Sequence, residues 1–155
     1  MALDNPTVSI STEYLMTVEF LMETLVPPAP RGITNIPVGG TVHGPKINGI
    51  IIPPGGDWPY AMPDGTIRLD VRFTIKTDDG EFILTEYNAV VVPSKEVLDK
   101  FAKAETVNSN ELYWIGAPRF TTSSKKYAWL NGVQAAGKMV NLQNSRIKCD
   151  IFILR

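Results

Sequence analysis

Residues 69–76, LDVRFTIK, alternate apolar and polar side chains without interruption. Successive side chains of a β-strand point to opposite faces, so the polar residues of this stretch must share one face. These are Asp70, Arg72, Thr74 and Lys76. A second alternating run follows, and the dipeptide Asp79-Gly80 between the two runs favours the positive φ angles of a tight turn. The pattern therefore predicts a β-hairpin over residues 65–92, whose polar face borders either water or the inside of a barrel.

Turn-forming residues divide the rest of the chain into short strands. Twelve Gly and twelve Pro punctuate the 155 residues, and the segments between them are rich in Val, Ile, Thr, Phe and Tyr. This composition is typical of an all-β meander. Strands are predicted over 14–22, on both sides of a bend at 43–45, and over 145–154. An irregular loop is predicted over 27–40, because this segment holds four Pro and three Gly.

One segment has the pattern of a helix. In PSKEVLDKFAK, Ser94 is placed as the N-cap, and Val97, Leu98 and Phe101 form an apolar stripe. The strands number about eight to ten, and closing them into a ring removes the exposed sheet edges. We therefore predict an all-β fold: a single antiparallel β-barrel domain of about eight to ten strands over residues 1–155, with one short helix.

Composition argues against several classes of protein. Fifteen basic residues against sixteen acidic ones give no electrostatic reason to bind nucleic acid or an anionic membrane. With one histidine, His43, and one cysteine, Cys149, a zinc or copper site lacks its preferred ligands, and a Ser-His-Asp triad is disfavoured. The chain has neither a run of 18 apolar residues nor a secretory signal pattern. We expect a soluble cytoplasmic protein without metal or cofactor, which binds neither nucleic acid nor membrane; a homodimer is left open.

Carboxylates and arginines are the side chains left for chemistry. Asp70 and Arg72 lie two residues apart on one strand and are close enough to pair. In a desolvated lumen such a pair is costly and tends to be kept where it has a function, whereas on a wet sheet face it contributes almost nothing. Glu19 interrupts an apolar run. If it points inward it is a candidate base or a partner for an arginine; otherwise it is a solvated strand residue.

Aromatic residues supply a candidate ligand wall. In the run YAWLN, an alternating strand places Tyr127, Trp129 and Asn131 on one face, which suits either a ligand wall or a plain core. Asp57 and Trp58 lie at the end of a predicted strand, where residues on a rigid scaffold tend to carry function.

Three strings of residues carry a resemblance to a known family. They are GGTVHGPKINGIIIPPGGDW, PDGTIRLDVRFTIKTDDGEFI and PRFTTSSKKYAWLN. From about residue 13 to its C-terminus the chain resembles the family called domain of unknown function 3237. The resemblance implies a β-barrel, lipocalin-like or calycin-like in general architecture, with an activity that is mostly unassigned. The matching positions that turns do not explain are Asp57, Trp58, Asp70, Arg72, Arg119, Tyr127 and Trp129.

The segment Ile115-Gly116-Ala117 departs from the family's pattern, which has polar residues before the string PRF. If this segment borders the pocket, the departure implies a more apolar or roomier mouth, and the ligand of this member then differs from those of its relatives.

Three hypotheses of function follow. The first is a cofactor-independent enzyme that binds a mid-sized, aromatic or polyketide-like metabolite in the barrel lumen and catalyses isomerisation, cyclisation or the addition or loss of water. The catalytic residues would be Asp57, Asp70, Arg72 and Tyr127, and the substrate-binding residues would be Glu19, Trp58, Tyr87, Arg119, Trp129 and Asn131. The alternatives are a carrier that binds such a molecule without changing it, and a structural barrel with a filled interior.

Overall fold

A computed structural model describes residues 7–25 and 34–155 of the chain. The strands formed by these residues are β1 (Thr12–Leu25), β2 (Thr34–His43), β3 (Gly49–Asp57), β4 (Tyr60–Ala61), β5 (Ile67–Thr77), β6 (Phe82–Val92), β7 (Val107–Asn108), β8 (Tyr113–Gly116), β9 (Arg119–Thr121), β10 (Ala135–Gln143) and β11 (Arg146–Leu154). The helices are the α-helix α1 (Lys95–Ala102) and the 3-10 helix η1 (Ala128–Gly132). None of the helices in the described ranges has the length and apolar character that crossing a bilayer requires.

Eight of these strands close into a ring. Around the ring the order is β1, β2, β3, β5, β6, β8, β10 and β11, and β11 pairs back to β1. Every pairing is antiparallel, and the short strands β4, β7 and β9 pair with β5, β10 and β6, respectively. Within the described residues, the predicted antiparallel barrel with one short α-helix is confirmed.

The hairpin of β5 and β6 is the longest continuous pairing, running from Ile67 opposite Val91 to Lys76 opposite Phe82. At its turn the Gly80 N–H donates to the Thr77 carbonyl oxygen at 2.9 Å. Gly80 has a φ of +89°. The hairpin is therefore confirmed, with the positive φ carried by the glycine of the Asp79-Gly80 pair.

The inner face of the barrel is apolar because every second residue of the long strands is apolar and points inward. In β5 the residues Leu69, Val71, Phe73 and Ile75 are buried. In β11 the alternating residues Cys149, Ile151 and Ile153 are buried in the same way, and Ile147 is half-buried. An eight-stranded barrel is just wide enough for such side chains to fill. Burying each large apolar side chain stabilises the fold by roughly 1.5–3 kcal/mol.

The two ends of the barrel are built differently. At the end we call the closed end, the 44–48 bend and the turn between β5 and β6 meet, and the Asp78 N–H donates to the Asn48 carbonyl oxygen at 2.9 Å. Ile47 and Leu130, from the bend and from η1, are completely buried. At the other end, the open end, β1, β3 and β6 finish and β2 and β5 begin.

Helix α1 follows β6 at the open end. The Ser94 hydroxyl accepts a hydrogen bond from the Val97 N–H at 3.2 Å, which confirms the predicted N-cap. Val97 is buried and Phe101 packs against the core, but Leu98 is exposed. The predicted apolar stripe was wrong at Leu98, because a helix of two turns on a barrel rim buries only a narrow face.

Part of the predicted loop over 27–40 is strand. Residues 34–40 belong to β2 and pair with β1, with a register shift between Leu21 and Met22. A Cβ at Gly40 would lie 2.1 Å from the Glu19 carbonyl oxygen, so glycine is required where the two strands approach each other. The prediction treated glycine and proline as strand breakers, whereas here they mark the bend of a barrel strand. Residues 27–33 lie outside the described residues.

Candidate functional site

A cavity of about 680 Å³ occupies the open end of the barrel. We call it the mouth cavity. Its polar lining residues are Thr24, Asn35, Asp57, Asn144 and Ser145. Its apolar lining comes from Met22, Pro59, Ala61, Ile67, Leu69, Val91, Phe101, Ala104, Trp114, Leu142 and Ile147. Its volume and its mostly apolar wall are those of a site for a mid-sized organic molecule.

Asp57 is the ionisable side chain among the described residues that line the mouth cavity. It ends β3 opposite Asn35 of β2 and is 5% exposed. The Asn35 Nδ2 donates to Asp57 Oδ2 at 3.3 Å, and the Thr24 hydroxyl donates to Asn35 Oδ1 at 3.0 Å. The other carboxyl oxygen, Oδ1, has no hydrogen-bond partner in the described residues. The carboxyl group is therefore oriented on one side and free on the other.

Burial raises the pKa of Asp57 from 3.8 to about 6. The hydrogen bond from Asn35 lowers this pKa and the charge of Asp70 raises it. A carboxyl group whose pKa lies near neutrality can both accept and return a proton, which general acid–base catalysis requires. A buried group of this kind in a cavity is a candidate functional residue on physical grounds.

A second, smaller space lies inside the barrel, and we call it the inner chamber. It has a volume of about 20 Å³, and Trp114 lines both this chamber and the mouth cavity. Its polar lining residues are Thr85 and Tyr87. Thr85 is 1% exposed, and its hydroxyl has no hydrogen-bond partner among the described residues. A buried hydroxyl without a partner is costly, so it marks a place where a ligand or a water molecule can bind.

Tyr87 is the predicted substrate-binding residue that the structure brings into this interior. Its ring packs edge to face against Phe73, with centroids 6.4 Å apart. Burial raises the pKa of Tyr87 well above its ordinary value, with further contributions from Cys149 and Asp57. The phenol therefore stays protonated at neutral pH and is available as a hydrogen-bond donor.

Two glycines create the space of the inner chamber. Gly116 of β8 lies directly opposite Gly137 of β10, and both line the chamber. A Cβ at Gly116 would lie 3.0 Å from the ring of Tyr87, and a Cβ at Gly137 would lie 2.9 Å from the Cδ1 of Ile151. Gly116 of the segment Ile115-Gly116-Ala117 thus borders the inner chamber and not the mouth cavity, and a roomier mouth than in relatives stays a prediction.

Asp70 and Arg72 were expected to face the lumen, and this placement was wrong. Their side chains are 49% and 54% exposed on the outside of the barrel. Arg72 and Arg119 both pair with Glu86 on the neighbouring strand, with N···O distances of 3.3 and 3.7 Å. The physical reason is that the lumen of this barrel is filled by the apolar phase of β5, which leaves the polar phase to the solvent.

Tyr127, Trp129 and Asn131 do not form a strand face, and this prediction was also wrong. They lie on or beside η1 at the closed end, where Tyr127 and Leu130 are both buried. Buried residues three positions apart are typical of a 3-10 turn, in which residues i and i+3 share a face. A run of five residues is too short to distinguish this spacing from the alternation of a strand.

Each of these three residues has a structural contact at the closed end. The Tyr127 hydroxyl donates to Asp79 Oδ1 at 3.1 Å. Trp129 lies under the Lys46 ammonium group, 5.5 Å from the ring centroid. Asn131 accepts a hydrogen bond from the Thr122 N–H at 2.8 Å. The closed end begins about 20 Å along β5 from Asp57, since six residues separate Val71, opposite Asp57, from Thr77.

Glu19 and Trp58 also lie away from the interior. Glu19 is on the outer face of β1 and pairs with Arg146 at 3.1 Å, so it is a strand residue at the surface. Trp58 directly follows Asp57, but its ring covers Gly56 on the outer side and is partly exposed. Of the ten predicted site residues, the structure thus brings Asp57 and Tyr87 to the interior spaces.

Sequence reasoning missed Asn35, Thr24, Thr85 and Trp114. Asn35 lay within the segment predicted as a loop. Thr85 carried a usable signal, because it interrupts the apolar phase Ile83, Thr85, Tyr87, Ala89 of β6 with a hydroxyl.

The described interior offers neither a reactive thiolate nor a cluster of metal ligands. Burial raises the pKa of Cys149 to about 12, so this residue is a thiol and not a nucleophilic thiolate at neutral pH. In the described ranges, no three or more His, Cys, Asp or Glu side chains are grouped as metal ligands.

Comparisons with known proteins identify relatives of this chain. A UPF0311 protein of Clostridium acetobutylicum is 34% identical over 93 residues, which cover 60% of this chain and 59% of that protein. A hydroalkoxylation enzyme of Penicillium herquei is 36% identical over 104 residues, which cover 67% of this chain and 54% of that enzyme. These alignments span less than two thirds of either relative. The crystal structure of a conserved protein of unknown function from Rhodopseudomonas palustris superposes with a TM-score of 0.86 at 25% identity, over 97% of this chain and 100% of that one.

The sequence model of one family matches residues 10–154, nearly the whole chain. This chain therefore belongs to the family described as protein of unknown function (DUF3237).

Proposed function

We propose that this protein is a cofactor-independent enzyme that transfers protons on an uncharged, mid-sized organic molecule bound in the mouth cavity, with Asp57 as the catalytic acid and base. One observation carries the proposal: a buried carboxyl group, one oxygen of which has no hydrogen-bond partner among the described residues, belongs to a residue that lines a large, mostly apolar cavity. A positioned acid or base contributes roughly 10² to 10⁴ in rate without a metal.

The reaction class is the addition of an O–H group across a carbon–carbon double bond, which is a cyclisation when both groups belong to one molecule. The Asp57 carboxylate accepts the proton of the hydroxyl group, the oxygen forms a bond to one carbon, and the carboxylic acid returns the proton to the other carbon. Protons and electrons balance, so no cofactor is needed. The relative from Penicillium herquei supports this class, since it is named a hydroalkoxylation enzyme.

Asn35 acts as a positioning residue in this scheme. Its amide donates to Asp57 Oδ2 and is itself oriented by Thr24, so the carboxyl group is held through Oδ2 while Oδ1 has no partner among the described residues. A group held in one orientation keeps the reacting atoms in line, and a displacement of about 1 Å can cost a factor of about 10² in rate.

The charge of the cavity supports an uncharged ligand. The described lining holds one carboxyl group and no Lys, Arg or His. An anionic ligand would therefore enter a mostly apolar site without a compensating cation, which is unfavourable.

The test is the variant Asp57→Asn with Asp70→Asn as its matched comparison, since Asp70 makes the same chemical change on the outer face. A panel of neutral hydroxylated alkenes and enones is screened for quenching of tryptophan fluorescence, because Trp114 lines the cavity. Conversion is followed by chromatography for an isomer of unchanged mass. We expect Asp57→Asn to lower turnover by a factor of about 10² or more and Asp70→Asn to retain it.

The alternatives predict other results. A carrier binds members of the panel and converts none of them. A structural barrel binds none of them. Equal losses of turnover in both variants would contradict the role of Asp57.

A further inference from the structure

We infer that the inner chamber is a subsite for a carbonyl oxygen, with Tyr87 and Thr85 as its hydrogen-bond donors, and that the substrate is therefore a neutral α,β-unsaturated ketone. The inference rests on the proposed function, because it names the substrate class of the same site. It is carried by two hydroxyl-bearing residues, Thr85 and Tyr87, that line a chamber which shares Trp114 with the mouth cavity.

The unpartnered hydroxyl of Thr85 is the first observation. Thr85 lies between Phe73 and Phe120 on the neighbouring strands, and its Oγ1 is buried without a partner in the described part of the chain. A valine has nearly the same shape and would avoid the cost of desolvating a hydroxyl group. A hydroxyl that costs stability in the free protein is explained if it meets a polar atom of a ligand.

The size of the chamber is the second observation. About 20 Å³ is room for one small group, since a single water molecule needs roughly 10–15 Å³ on this measure. The ring of a ligand must therefore stay in the mouth cavity, and the chamber has room for one oxygen atom of that ligand.

The chemistry of the two hydroxyls selects the kind of oxygen. The raised pKa of Tyr87 keeps its phenol protonated, so it donates a hydrogen bond and needs an acceptor. A ketone oxygen is uncharged, accepts two hydrogen bonds and brings no donor of its own. It also suits a cavity whose described lining has no cation.

A carbonyl group also makes the proposed addition feasible with the group at hand. The Asp57 carboxyl, with a pKa of about 6, is a weak acid for protonating an isolated alkene but an adequate base for a phenol. The carboxylate accepts the phenol proton and the oxygen bonds to the β-carbon. The π electrons move to the carbonyl oxygen as an enolate, which the two hydroxyl groups stabilise. The enolate collapses as Asp57 returns the proton to the α-carbon, so nothing is oxidised or reduced.

The test uses two probes that differ only at the carbonyl. One is the hydroxychalcone whose phenol is ortho to the ketone. The other is ortho-cinnamylphenol, in which a methylene replaces the ketone. Dissociation constants are measured by tryptophan quenching, and cyclisation of the chalcone by loss of its ultraviolet absorbance. The variants are Tyr87→Phe and Thr85→Val, with Tyr113→Phe as the matched control, because Tyr113 is exposed on β8.

We expect Tyr87→Phe to weaken binding of the chalcone about tenfold and to lower its cyclisation rate by about 10² to 10³, as loss of an oxyanion donor does. Binding of ortho-cinnamylphenol should change less than twofold in Tyr87→Phe, and Tyr113→Phe should change neither probe. Thr85→Val should weaken binding of the chalcone while raising the melting temperature, which separates loss of a contact from loss of folding.

The inference is overturned if both probes weaken equally in Tyr87→Phe, since the subsite would then not distinguish a carbonyl. It is also overturned if wild type binds neither probe, or binds only ortho-cinnamylphenol. The proposed function fails by a different result. If wild type binds the two probes differently but the cyclisation rate is unchanged in Asp57→Asn, the carbonyl subsite is supported and the catalytic role of Asp57 is contradicted.

Discussion

The closed and open ends of the barrel hold their carboxyl groups in opposite environments. At the closed end Asp79 is exposed and accepts hydrogen bonds from Lys126, Thr77 and Tyr127, which lower its pKa to about 2. At the open end Asp57 is buried with a free oxygen, and its pKa is raised to about 6. The difference teaches that hydrogen-bond donors at the surface favour the charged form of a carboxyl group, whereas burial with one unpartnered oxygen disfavours it.

The packing of the two ends differs in the same direction. At the closed end, Ile75 and Ile83 are paired and completely buried. At the open end, half-buried residues such as Leu142 line a cavity that is already present. Large side chains should therefore contribute more to stability at the closed end.

The largest effect on stability is expected from Ile75→Ala. Removing this side chain leaves a cavity in a filled region, and should lower the free energy of unfolding by about 2–5 kcal/mol. Leu142→Ala, at the open end, should cost about 1 kcal/mol, because the neighbouring space is already empty. Urea unfolding of both variants measures the difference. Equal losses would show that the ends are equally packed.

A stability gain is expected from Asp57→Asn. The folded-state pKa of about 6 lies above the unfolded value of 3.8, so the native state binds more protons between these pH values. Wild type therefore loses stability as the pH rises from about 4 to 6, and the variant does not lose this contribution. Above pH 6 the variant should be more stable by about 1–3 kcal/mol, and near pH 4 the two should be equal. Urea unfolding at both pH values tests this. A gain of the same size at pH 4 would contradict the assigned ionisation.

A smaller loss is expected from Tyr127→Phe at the closed end. The variant loses the hydrogen bond to Asp79 but keeps the buried ring, so the free energy of unfolding should fall by about 1–2 kcal/mol. Turnover and ligand binding should be unchanged, because the residue is remote from the mouth cavity. A turnover loss larger than the stability loss explains would restore Tyr127 as a catalytic candidate.

The smallest effect is expected from Arg72→Ala on the outer wall. Its contacts with Asp70 and Glu86 are half exposed, and such pairs contribute less than about 1 kcal/mol. Thermal unfolding in low and high salt measures this contribution, which salt should diminish further. A loss of several kcal/mol would mean that the outer charges act as a buried network.

The barrel could be predicted from the sequence because alternation is a local property. The hairpin over residues 65–92 and the strand over 145–154 each repeat it long enough to exclude a helix, and closure follows from the need to remove sheet edges. Whether the polar face borders water or the lumen depends on how wide the lumen is. That width is set by all eight strands together, so Asp70 and Arg72 were placed on the wrong side.

The site was only partly predictable for a similar reason. Asp57 was selected from its position at a strand end, but its pKa depends on burial by distant strands. Asn35 meets Asp57 through a register between β2 and β3 that contains an irregularity, so no local pattern announces the contact. Tyr127 belongs to a five-residue 3-10 helix, which is too short to be separated from a strand by its sequence.

The size of the residues at the opposed positions Gly116 and Gly137 sets the width of the barrel interior. Glycine has only a hydrogen atom as its side chain, so the methyl group of an alanine would come into close contact with Tyr87 or Ile151 and reduce the volume of the interior. Neither position touches the carboxyl group of Asp57. In the proposed function, ligand size and proton transfer therefore depend on separate positions, and an alanine at either glycine is expected to favour slimmer ligands.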